Sequence, residues 1–130
     1  MKPIPQLAAT FQQGSTKQLM ARLADEQGAP TSEGALLTPD DFDSITFSVY
    51  ASGEIVGSFD GLALVPAEVV STELAGWGRD DTGRNFSHVV TADAFPAGGV
   101  MTSVIYRFTL TDGRTFALEF LGPTIGVPAE

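Results

Sequence analysis

The sequence predicts an all-β protein, an antiparallel β-sandwich with one short helix near residues 66–75. Three observations carry this. Apolar and polar residues alternate in short runs, as from Ile45 to Tyr50 and from Val104 to Leu110, and a period of two belongs to half-buried strands. Turn formers are frequent, with 14 glycines and 8 prolines in 130 residues. Convincing helical stretches are few, and short strands at regular spacing indicate a sandwich.

Pro3 and Pro5 set φ and remove two N–H donors, so residues 1–10 are expected to form an extended arm. Such an arm either trails as a loose tail or crosses onto a neighbouring subunit. Residues 15–27 support two readings. Ser15-Thr16-Lys17-Gln18 resembles a capping box, and Leu19-Met20-Ala21-Arg22-Leu23 favours helix, with Gly28 as a stop. The same stretch alternates, with Leu19, Ala21 and Leu23 on one face. Residues 29–43 read as loop. In Ile45 to Tyr50, Ile45, Phe47 and Val49 point inward. Ser52-Gly53-Glu54 turns the chain into a short return strand at Ile55-Val56.

Residues 62–77 are again ambiguous. Pro66 suits a first helical turn, and Val70, Leu74 and Trp77 follow helical spacing, yet Val69-Val70-Ser71-Thr72 also suits a strand. The expectation is a short helix. Gly76 to Asn85 reads as a polar turn, Phe86 to Val90 as a strand, and Thr91 to Gly99 as a connector.

The last hairpin is the best determined. Val104, Tyr106, Phe108 and Leu110 alternate on one arm, and Phe116, Leu118 and Phe120 on the other. A two-residue Asp-Gly loop would pair Phe108 with Ala117 and mix the faces. A loop at 111–113 pairs Phe108 with Phe116 and Tyr106 with Leu118, with Gly113 in a left-handed position. A slip by one residue would expose large apolar side chains at roughly 1.5–3 kcal/mol each.

Composition excludes several function classes. Sixteen Asp and Glu against 7 Lys and Arg give a net charge of −9, which repels phosphate backbones and argues against nucleic-acid partners. With no cysteine and one histidine, thiolate nucleophiles, cysteine zinc sites and disulfide frameworks are excluded. No apolar run is long enough for a bilayer, so no membrane partner is expected. The N-terminal residues show no secretory pattern, and first residence in a cytoplasm is expected.

No catalytic constellation emerges, and the chain is expected not to be an enzyme. His88 follows Ser87 directly, and neighbouring strand residues face opposite ways, so the two form no nucleophile–base pair. His88 is expected at the solvent or the sheet rim. Asp40, Asp41 and Asp43 are weak metal candidates, because the offsets of a calcium loop are missing and Asp41 suits a turn cap. Asp80 and Asp81 sit beside Arg79 and Arg84, which suits local ion pairing. No cofactor loop is present. Asn85-Phe86-Ser87 matches a glycosylation sequon that is expected to be a chance match. Trp77 and Phe86 flank the acidic turn as candidate partner anchors, although a tryptophan also closes a sandwich core well.

Gln13-Gly14-Ser15-Thr16-Lys17, the Asp25-to-Pro30 turn, the strand at Ile45 to Tyr50 and the ending from Ala97 through Phe120 together resemble small immunoglobulin-like proteins of bacteriophage virions. The nearest likeness is to the N-terminal domain of phage baseplate upper proteins. It covers about residues 11–122, with an insertion-like middle and no counterpart for 62–77. The resemblance implies an immunoglobulin-like sandwich over 11–122, a C-terminal tail at 123–130, and a strand rather than a helix at 17–25. It further implies a structural or interaction module of a baseplate, tail or head. Such a module would contact other particle proteins and itself, and would reside in the virion after synthesis in a bacterial cytoplasm. The contact residues expected are Pro3, Ile4, Pro5, Trp77 and Phe86. The alternative is a stand-alone ligand- or carbohydrate-binding module, with Trp77, Tyr50 or Phe86 as a stacking platform.

Overall fold

The computed structural model describes residues 6–21, 23, 37–75 and 84–126. Ten strands and one helical turn follow in order: β1 (Gln6–Ala8), β2 (Phe11–Gln12), β3 (Lys17–Ala21), β4 (Phe42–Ala51), β5 (Glu54–Ile55), β6 (Leu62–Leu64), α1 (Pro66–Val69), β7 (Val70–Ala75), β8 (Arg84–Val90), β9 (Val100–Leu110) and β10 (Thr115–Ile125). They form two sheets. The larger runs β1-β10-β9-β4-β5, with β2 also on β10 and β6 also on β4. The smaller runs β3-β8-β7. The fold is an all-β sandwich.

Alternation explains the core. The larger sheet turns Ile45, Phe47, Val49, Val104, Tyr106, Phe108, Leu118 and Phe120 inward, and the smaller turns Leu19, Ala21, Phe86 and Val90 to meet them. The sheets touch through aromatic edges. The Phe86 ring lies 5.0 Å from Tyr106 and 5.7 Å from Phe108, both T-shaped, the arrangement that ring quadrupoles favour.

The C-terminal hairpin has the expected register. Phe116 pairs with Phe108 and Leu118 with Tyr106. The Leu110 N–H donates to Arg114 O at 2.8 Å and closes the loop, while Gly113 takes φ +93°. Of the strand expected at 17–25, Lys17–Ala21 is present as β3, with Leu19 and Ala21 buried, and residues 22, 24 and 25 lie outside the described residues. Pairing with β8 from Lys17–Val90 to Ala21–Phe86 overrides the local helix signal.

The short helix expected near 66–75 is present, and it is shorter than the residue spacing suggested. It is a single turn, Pro66–Val69, and Val70 already has extended angles, φ −115° and ψ 130°. Val70 to Ala75 form β7 on β8 instead, so the helical spacing of Val70 and Leu74 is coincidental. Strands also lie within the segments read as arm and tail. Gln6–Ala8 and Phe11–Gln12 pair in parallel with β10, which itself runs through Ile125. This docking needs a glycine: a Cβ at Gly122 would stand 1.5 Å from the Ala9 carbonyl oxygen. Phe11 anchors the seat, fully buried with its ring stacked 5.0 Å from Phe95.

Candidate functional site

The structure distributes the sequence-derived candidates widely. Pro3, Ile4, Pro5, Trp77, Asp80 and Asp81 lie outside the described residues. Phe86 is fully buried between the sheets and therefore has no surface to offer a partner. The reason is the inward phase of β8, which sends Phe86, His88 and Val90 to the same side.

Asp41 is a cap. Its Oδ2 accepts from Thr38 N at 2.7 Å and from Thr38 Oγ1 at 3.2 Å, at the start of the 3-10 turn Pro39–Asp41. Asp40 and Asp43 are exposed, and no group of three His, Asp or Glu among the described residues is arranged to hold a metal ion.

His88 does not face solvent. It is half-buried, its ring 4.7 Å from Phe47, and Nδ1 lies 2.8 Å from the Tyr106 hydroxyl across the sandwich. Burial lowers the His88 pKa and raises that of Tyr106 well above its ordinary value, so a neutral imidazole meets a neutral phenol. The buried Tyr106 hydroxyl thereby has its hydrogen-bond partner, whichever of the two donates. The contact ties the two sheets together across the core.

Asn85, within the sequon, is fully buried. Its Nδ2 donates to Leu23 O at 2.9 Å and Leu37 O at 2.8 Å, and its Oδ1 accepts from Leu23 N at 2.6 Å. The amide is a structural bracket and is closed to modification in the folded chain.

What sequence reasoning missed is the outer face of the larger sheet. Register places Ile55, Tyr50, Ser103 and Leu121 in one row across β5, β4, β9 and β10. Ser48, Ile105 and Glu119 form the next row, with Arg107 one step beyond Ile105 on the same face and Met101 one step beyond Ser103. A shallow concavity of about 280 Å³ opens among Tyr50, Met101, Ile105, Glu119 and Leu121. Ser103 Oγ donates to Glu119 Oε2 at its floor. Met101 is 53% exposed, and Tyr50, Ile105 and Leu121 stand with it around the concavity, where an antiparallel sheet usually turns polar groups to water. The alternation of β9 itself was the available signal, because its outward positions hold Met101 and Ile105.

Comparison with protein-family models, curated proteins and solved structures finds no match.

Proposed function

We propose that the protein is a non-enzymatic structural or interaction module of a bacteriophage-like particle, part of its baseplate, tail or head decoration. It acts through protein–protein contacts. The observation that carries the contact mode is the concavity on the outer face of the larger sheet, where Tyr50, Met101, Ile105 and Leu121 come together, since adjoining exposed apolar side chains mark docking surfaces. The strand order supports the immunoglobulin-like part of the reading. β3-β8-β7 opposite β10-β9-β4 corresponds to the B-E-D and G-F-C strands of an immunoglobulin sandwich. The particle assignment rests on the sequence resemblance. A stacking platform for sugars has less support, because Phe86 lies in the core.

The test is co-sedimentation. Particles are banded on a density gradient from the producing cells, and the chain is quantified in each fraction by mass spectrometry. The expected result is the chain at fixed stoichiometry to the major particle proteins. Recovery in the soluble fraction alone would overturn the particle assignment.

A further inference from the structure

We infer that the outer face of the larger sheet is a self-association surface, occupied by a second copy of this chain packed sheet against sheet. The first argument is electrostatic. The chain carries −9, so two copies repel wherever their acidic surfaces meet. The outward rows from Thr46 to Tyr50 and along β9 and β10 are different. Their charged side chains among the described residues are Arg107 and Glu119, one of each sign. Most acidic residues lie at turns and element ends instead, at Asp40 and Asp41 before β4, at Asp43 at its start, at Glu54, Asp60, Glu68, Asp93 and Asp112. A near-neutral face on an acidic chain is where a like-charged copy approaches at least cost. A basic partner of another kind would be drawn to those turns.

The second argument is size. β4 has 10 residues, and β9 and β10 have 11 each. At ~3.3 Å per residue and ~4.8 Å between strands, these three and their short flanking strands span roughly 30 Å by 20 Å. Two such faces together cover roughly 1,200 Å², the lower end of a stable standard interface. A two-fold pairing is the commonest way for one patch to meet itself, and facing sheets pack about 10 Å apart. Met101, Ile105, Tyr50 and Leu121 supply apolar contact to the copy.

The inference deepens the proposed function and rests on its premise that this face makes protein contacts. Absence from particles with association retained would remove the particle assignment alone.

Sedimentation velocity on the purified full chain tests it, at rising concentration and at two salt levels. The mean mass is expected to climb from 13.7 kDa toward twice that value, more readily at high salt, where the residual repulsion is screened. Met101→Lys and Ile105→Lys should each weaken association at least tenfold while the circular dichroism spectrum and melting temperature stay unchanged. Met101 is the safer site, because it is already 53% exposed. A monomer at every concentration overturns the inference. So does association that a folded Met101→Lys chain retains in full, or association that salt abolishes.

Discussion

The two outer faces of the sandwich differ in chemistry although both are built by the same alternation. On the smaller sheet, Gln18 Nε2 donates to Ser87 Oγ at 2.8 Å and covers the face with its own polar contact. Val89 stands there as an exposed apolar side chain, 53% accessible. On the larger sheet, Met101 is equally exposed at 53%, but Tyr50, Ile105 and Leu121 share its concavity. Exposure of a single side chain therefore does not distinguish the faces. Continuity across neighbouring strands does, and continuity is a property of register.

Both faces hold their register only while the two sheets stay packed, so breaking that packing has the largest expected effect. Phe86 ties β8 to Tyr106 and Phe108. Phe86→Ala should cost about 3–5 kcal/mol in urea unfolding, and a loss under 1 kcal/mol would mean that the sheets are held otherwise. Asn85→Ala comes next. It removes the side-chain partner of the buried Leu23 N–H and Leu37 carbonyl, while the Leu23 carbonyl keeps its bond from Leu37 N, at about 2–3 kcal/mol, read from the same unfolding curves.

His88 sharpens the comparison through pH. Its folded pKa is lowered by burial, while the unfolded chain takes up a proton near pH 6.5. The stabilising contribution is therefore complete above about pH 6.5 and is lost as pH falls from there toward the folded pKa. Urea midpoints should drop between pH 7.5 and 5.5 in the wild type and drop less in His88→Gln. Equal slopes would show that the Tyr106–His88 tie does not carry this dependence.

How much of this was legible in the sequence follows from how local each signal was. The β9–β10 hairpin could be read to the residue because the interior pattern permits only one register around Gly113. The β4–β5 turn was equally plain, with Ser52 at φ 51° and Gly53 at φ 82°. The segment after Pro66 was not, since its apolar residues satisfy both periods and only pairing with β8 decides. The parallel seat of residues 6–12 is a contact across the whole chain, and Gly122 was its sole local trace. Asn85 looked like a turn residue, because its partners lie 62 and 48 positions away. Phe86 was judged by its acidic neighbours rather than by its phase with His88 and Val90. The outer face escaped notice because Met101, Tyr50 and Leu121 come from three strands, and a single strand shows only one or two of them.

Thiol protection tests the self-association surface most directly, and the cysteine-free chain suits it. Met101→Cys and Val89→Cys place one thiol on each outer face at positions of equal exposure, 53% in both cases. Each variant is labelled with a maleimide at low and at high protein concentration. The predicted result is slower labelling at position 101 as concentration rises, with no change at 89. Equal rates at both positions across the whole range would contradict a covered outer face.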